Sequence, residues 1–349
     1  MTTDTSAPTE AAAVPVIDLE LALAADPDSA ELARLRAAGA QLGIIQVVNH
    51  GVPLELIEAF HRSIGRILAL PREEKEHLAS PTAHPFRGWR QWPDDFGRLE
   101  LERFSIGQFD DPAAAAAAGV PAQYLELFAH ANVWPPQEPQ LRELADAYRA
   151  ASLDVARRVL SLYARALGVP VETFPWQTPE YTTFVVNDYP TWTHPDSGTD
   201  EEKLLLLEHA DNSVLTVLHQ EGDYAGLQGQ RPDGSWVPVP IVPGALQVFT
   251  GSLLTRWTNG LLTAGRHRVV AGGTVTRRST ALFVYGGFDT VVEPLERFVG
   301  DGEAEFGAYH VGREALGSVE DYLQVFGRPE QVAAWQAGRP YVAAVEEPA

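Results

Sequence analysis

The sequence predicts an α+β chain with a mainly β core: a double-sheet jelly roll or similar barrel flanked by helices. Three observations predict it. Helix-period apolar patterns dominate up to about Leu167. Short strand-like runs separated by turn signals fill the stretch from Phe174 to about Val292. Helical patterns then return near the end.

Taken in order, residues 1–14 are rich in Thr, Ala and Pro and read as a disordered tail. Pro15–Leu19 is a short extended piece. Ala30–Leu42 places Leu32, Leu35 and Leu42 on one helical face, with Gly39 inside it and Gly43 ending it. Ile44–Val48 is a strand run closed by the turn Asn49-His50-Gly51-Val52-Pro53, and Leu54–Leu70 is a second helix stopped by Pro71. Pro81–Asp111 lacks a clear period and offers either strands or a loop near a pocket. Ala113–Ala118 reads as a helix or linker. Pro139–Leu167 is the longest helical pattern, ended by Gly168 and Pro170, and suits a spine on which a sheet packs. Strand runs follow at Thr182–Val186, Leu204–Leu207, Ser213–Leu218, Trp236–Val239, Leu246–Phe249, Arg266–Val270 and Ser279–Tyr285. Ser318–Phe326 and Pro329–Gln336 return to helix, broken at Gly327. The expected organisation is the tail, an N-terminal region over 15–135, the spine helix over 136–173, the jelly-roll core over 174–292, and a C-terminal helical segment over 293–349 that is a candidate lid.

Composition removes several chemistries. Cysteine is absent, so there is no disulfide framework, no thiolate nucleophile and no cysteine-ligated zinc or iron–sulfur cluster. Any metal must be held mainly by His, Asp or Glu. The formal net charge of -21 repels phosphate backbones and anionic lipid heads, which sets nucleic acid and membranes aside as partners. No uninterrupted apolar run reaches membrane-spanning length. The N-terminus lacks the basic start and apolar stretch of a signal peptide, so a cytoplasmic location is expected.

The sharpest chemical feature is His209-Ala210-Asp211. Positions i and i+2 of an extended strand project to the same side, so two potential ligands point together. His267 offers a third. Two histidines and one carboxylate on one face of a metal leave open positions, the arrangement of non-haem Fe(II) oxygenases. By residue type alone the pairing also arises by chance. Such a set also serves zinc hydrolases, although the helical His-Glu-x-x-His pattern is missing. Arg277 and Ser279 share one strand face and suit a carboxylate, which a guanidinium grips with two parallel hydrogen bonds. Two arginines on an exposed strand edge would read the same way. Asn187 and Tyr189 alternate to one side and could hydrogen-bond a keto acid, or simply end a strand before Pro190.

These motifs occur in a recognisable order. Gly43-Ile44-Ile45-Gln46-Val47-Val48-Asn49-His50-Gly51-Val52-Pro53, Leu70-Pro71-Arg72-Glu73-Glu74-Lys75 and Asn132-Val133-Trp134-Pro135 precede the core. His209-Ala210-Asp211, Gly226-Leu227-Gln228, Asp233-Gly234-Ser235-Trp236, Pro243-Gly244-Ala245, Asn259-Gly260, His267-Arg268-Val269 and Arg277-Arg278-Ser279 follow within it. In this the chain resembles the isopenicillin N synthase-like branch of the iron(II)/2-oxoglutarate-dependent dioxygenases. The resemblance implies a distorted double-stranded β-helix. It implies iron held by His209, Asp211 and His267, and 2-oxoglutarate contacted by Arg277, Ser279, Tyr189 and Asn187. It also implies that O2 and 2-oxoglutarate are consumed to hydroxylate, desaturate or cyclise a small, secondary-metabolite-type substrate. Two departures stand out: Gly251-Ser252 replaces the usual Gly-Asp, and the usual arginine before the Asn187 motif is absent, the chain reading Phe184-Val185-Val186-Asn187-Asp188-Tyr189. His50 reads as structural. Candidate substrate contacts are Arg87, Arg90, Arg103, Phe283 and Tyr285. A 2-oxoglutarate-independent oxidase and a non-catalytic binding module remain the alternatives at this stage.

Overall fold

Strand register is what positions the site. The computed structural model describes residues 14–80, 87–93, 99–128, 131–191, 203–222, 226–272 and 276–326. The strands that matter are β1 (Val16–Asp18), β2 (Ile44–Val48), β3 (Gly88–Pro93), β4 (Leu99–Gly107), β5 (Glu180–Tyr189), β6 (Leu204–His209), β7 (Leu215–Gly222), β8 (Leu227–Gln230), β9 (Trp236–Pro238), β10 (Leu246–Thr250), β11 (His267–Val270) and β12 (Arg277–Gly287). The main sheet runs β1-β2-β10-β7-β12-β5-β4-β3, antiparallel except for the β1–β2 pair. The second sheet is antiparallel and runs β6-β11-β8-β9. Inward residues of both sheets, among them Leu101, Leu205, Leu218, Leu227, Phe249, Val269 and Ala281, form one apolar layer between them.

Helices cover the other face of the main sheet. Helix Leu54–Leu68 buries Ile57, Phe60, His61, Ile64, Ile67 and Leu68, a spacing that makes one continuous stripe. The expected spine is helix Leu141–Ala166. It buries Ala145, Tyr148, Ser152, Val155, Ala156, Val159, Leu162 and Tyr163 against the sheet and the neighbouring helices. Gly168 ends it with φ at +68°, where a side chain would strain the backbone. Gly39, unusual inside helix Ala30–Gln41, has a packing cause: a Cβ there would lie 2.7 Å from the Tyr163 ring.

Several expectations shift. Pro81–Asp111 contributes β3 and β4. β4 alternates as Leu99-Glu100-Leu101-Glu102 and again as Phe104-Ser105-Ile106, but the phase slips at Glu102-Arg103, which hides the period. The run at Leu204–Leu207 extends to His209 because its end pairs with β11. β8 and the short helix Ser252–Trp257 were not foreseen; β8 carries Gly229, whose lack of a side chain weakens the strand signal. The C-terminal helix starts at Val311 rather than Ser318. Of the expected tail over 1–14, Val14 is instead buried in the apolar layer, because its side chain packs there; the rest of the tail, the break at Gly327 and the helix at Pro329–Gln336 lie outside the described residues. No helix among the described residues is long and apolar enough to cross a membrane.

One polar cluster sits beneath helix Leu54–Leu68. His219 on β7 faces His61, with Nδ1 and Nε2 3.0 Å apart, and His61 Nδ1 lies 3.3 Å from Glu221. Arg278 bridges Glu221 and Asp188 on the same face. Burial, aided by His61 and His50, pushes the His219 imidazole down to about 3, while Glu221 opposes the shift. The folded state therefore holds His219 neutral where the unfolded chain would protonate it. This sign makes stability fall as pH drops below the ordinary histidine value of about 6.5. Between pH 7.5 and 5.5 the parent chain is expected to lose about 1.4 kcal/mol more than His219→Gln, as read by urea denaturation.

Candidate active site

The pairing of β6 with β11 sets His209 directly opposite His267. Their ring centroids are 4.3 Å apart. β6 ends at His209, so Asp211 stands in the loop beyond the strand rather than on it, as the i, i+2 argument had assumed. Main-chain bonds restore the same-side geometry: Ser252 N–H donates to the Asp211 carbonyl, and Gly251 N–H to that of Val214. The carboxylate Oδ1 lies 3.6 Å from His209 Nε2 and 3.9 Å from His267 Nε2. One donor atom from each of the three residues falls within 4.8 Å of the others.

The protonation pattern suits a cation. His209 Nδ1 is 2.8 Å from the Leu207 carbonyl and His267 Nδ1 is 2.9 Å from that of Gly265. Carbonyls only accept, so each Nδ1 carries a proton and Nε2 is the nitrogen left to face Asp211. Burial pushes the His267 imidazole down, which keeps it neutral. Asp211 is 6% exposed, and its Oδ2 is buried without a hydrogen-bond partner. A buried carboxylate oxygen left bare costs about 1–3 kcal/mol or more, and a divalent metal would satisfy it. The donor set therefore fits a metal that prefers nitrogen and oxygen ligands.

These residues open onto a cavity of about 60 Å³ between the two sheets. Arg277 and Ser279 lie at one end of it, both 1% exposed, with Tyr189 and Asn187 beside them across the β12–β5 ladder. The Arg277 guanidinium lies 5.0 Å from the Tyr189 ring centre. Its Nη2 donates to Gln220 Oε1 at 3.3 Å, while its Nε and Nη1 are buried without partners. Asn187 Oδ1 accepts from Arg103 Nε at 2.8 Å, so its Nδ2 is the free end, a donor. Arg278 points to the opposite face, as alternation requires.

Of the five candidate substrate contacts, the cavity takes in Arg103 and Phe283. Arg87 lies elsewhere: its guanidinium covers Gly107, donates to the Leu127 carbonyl, and is pushed down to about 10 by burial. It lines a separate cavity of about 10 Å³ with Tyr181 and Phe128. Arg90, on edge strand β3, and Tyr285, whose hydroxyl lies 3.3 Å from Thr183 Oγ1, are not among the residues lining the site cavity. The described C-terminal segment does not line it either. Its Tyr309 hydroxyl accepts from Asn212, next to Asp211, and Asn212 in turn accepts from Ser252. His50 staples its turn to the Gly244 carbonyl and accepts from Val52 N–H, a structural arrangement. Thr216 and Gln220 went unforeseen. The period-2 rule applied to β7 puts Thr216, Leu218 and Gln220 on one inward line, and that signal would have found them.

Known proteins resemble the chain over most of its length. Residues 14–137 match the family model for the N-terminal region of non-haem dioxygenases in morphine synthesis, and residues 181–285 match that of the 2OG-Fe(II) oxygenase superfamily. The chain is 31% identical over 296 residues to 2-oxoglutarate-dependent dioxygenase 19 of Oryza sativa subsp. japonica, covering 83% of this chain and 80% of the relative. It is 33% identical over 271 residues to validamycin A dioxygenase of Streptomyces hygroscopicus subsp. limoneus, covering 74% and 72%. The crystal structure of the rice dioxygenase for auxin oxidation superposes with a TM-score of 0.67 at 25% identity, covering 92% of this chain and 99% of that one.

Co(II), a coloured stand-in for a divalent metal, is expected to bind with visible absorption at one equivalent. Asp211→Ala should weaken that binding by more than the roughly 10–100-fold typical of losing a supporting partner. Unchanged affinity in the variant would move the metal to other residues.

Proposed function

The chain belongs to the 2OG-Fe(II) oxygenase superfamily, and from that membership we propose that His209, Asp211 and His267 hold its iron while Arg277, Ser279, Tyr189 and Asn187 receive its 2-oxoglutarate. The enzyme is an Fe(II)- and 2-oxoglutarate-dependent dioxygenase that uses O2 and acts on a small molecule. The observation that carries the residue assignment is the pair of unsatisfied buried groups in one cavity: Asp211 Oδ2 at the three-residue cluster and the Arg277 donors beyond it.

Each side chain then has a part. His209 and His267 would offer their Nε2 atoms as ligands, and Asp211 would supply the negative charge that keeps a dication in a site walled by apolar groups. The Arg277 charge answers the far carboxylate of 2-oxoglutarate, Ser279 adds a hydroxyl, and Asn187 offers Nδ2–H. Iron with 2-oxoglutarate supplies O2 activation, coupling formation of succinate and CO2 to hydroxylation, desaturation or ring closure at a substrate C–H bond. Leu206, Leu218, Leu227, Val269 and Phe283 keep the cavity poor in water. Phe283 and Arg103 form the wall we assign to the substrate, a small metabolite with an apolar body. The relatives named for validamycin A and for auxin oxidation support a substrate of that size.

The test is spectroscopic. The oxygen-free protein with Fe(II) and 2-oxoglutarate is expected to show a weak charge-transfer band in the visible, lost in His209→Ala. Iron bound without that band would refute the assignment of the keto acid to this cavity. In turnover, succinate should accumulate in step with oxidised substrate, and Asp211→Ala should abolish both.

A further inference from the structure

The sharpest unassigned residue is Gln220, and we infer that it is a positioning residue for the cosubstrate's far carboxylate, acting by holding Arg277 in place without neutralising it. The inference rests on the reading that Arg277 receives 2-oxoglutarate. Gln220 lies on β7 directly opposite Ser279 and is 4% exposed. Its Nε2 donates to the Val239 carbonyl at 3.4 Å, and that acceptor fixes the amide orientation. Oε1 therefore faces Arg277 and accepts from Nη2 at 3.3 Å. Val239 is itself tied to the second sheet through its N–H to the Leu227 carbonyl. Gln220 thus ties the arginine, through one side chain, to both sheets.

The chemistry of the holders matters as much as their positions. Gln220 on one side and the Tyr189 ring on another are both neutral. Among the described residues, no carboxylate forms an ion pair with Arg277. A fully buried guanidinium held only by neutral groups keeps its charge for an incoming anion. A carboxylate in place of the amide would pair with it and compete with that anion. The amide is the group that orients a cation and leaves it a cation.

Pyruvate carries the same keto-acid head as 2-oxoglutarate but no far carboxylate, so the ratio of their affinities reads the far-carboxylate contacts, to which Arg277 brings the charge. Oxygen-free protein with Fe(II) would be titrated with each acid, following the visible charge-transfer band, in the parent chain, Gln220→Glu, Gln220→Asn and Arg277→Gln. In Gln220→Glu the preference for 2-oxoglutarate is expected to fall by at least about tenfold, with a smaller fall in Gln220→Asn, while pyruvate and Fe(II) bind as in the parent. A preference unchanged in both Gln220 variants, with Arg277→Gln having lost it, overturns the inference alone. A preference unchanged in Arg277→Gln overturns the assignment of Arg277 on which it rests. Equal weakening of both acids in both Gln220 variants overturns the inference too, since that is the mark of a general packing role.

Discussion

The antiparallel pairing that sets His267 opposite His209 fixes where everything else at the site must stand. Side chains on a strand alternate between faces, so a slip of β11 by one residue would turn His267 out of the cavity. β11 is held on its other side by β8, with His267 opposite Gly229. A Cβ at Gly229 would fall 2.7 Å from Ile44, so the glycine lets the second sheet close against β2. Register on one flank and close approach on the other leave the histidines one position.

From that position the site extends along a second ladder. β12 carries Arg277, Ser279, Ala281 and Phe283 inward, and β5 sets Tyr189, Asn187, Val185 and Thr183 opposite them. The cavity so built contrasts with the exterior. The chain has a net charge of -21, yet the cavity is lined by Arg277 and Arg103. Within the low-dielectric layer between sheets a guanidinium acts strongly at short range, whereas the many surface carboxylates are screened over roughly 8–10 Å by physiological salt.

Much of this was legible in the sequence, and the exceptions have physical causes. Strand runs announced β7 and β12, and alternation put Arg277 and Ser279 on one face of the latter; the fold turns that face inward. β4 was missed because its alternation slips phase at Glu102-Arg103, and with it went the foresight that Arg103 would share a hydrogen bond with Asn187 across the ladder. Arg87 shows the converse. An arginine beside aromatic residues looks like a substrate contact in sequence, but the absence of a side chain at Gly107 gives its guanidinium a place of its own. Asp211 reached its place by loop hydrogen bonding through Ser252, at the position where the resemblance leads one to expect an aspartate. Gln220 sat on a line of inward residues that a strict count by twos would have revealed.

The strand order carries one further meaning. β1 and β2 flank the core on the β10 side, and β3 and β4 flank it on the β5 side. The residues matched by the oxygenase model, 181–285, take in β10, β7 and nearly all of β12 and β5, whose buried residues run almost without interruption. Cut away from residues 14–137, that block would present two apolar margins with unpaired backbone groups, templates for sticking to other chains. The N-terminal region is thus the selvage of the catalytic sheet, and its loss would show first as insolubility.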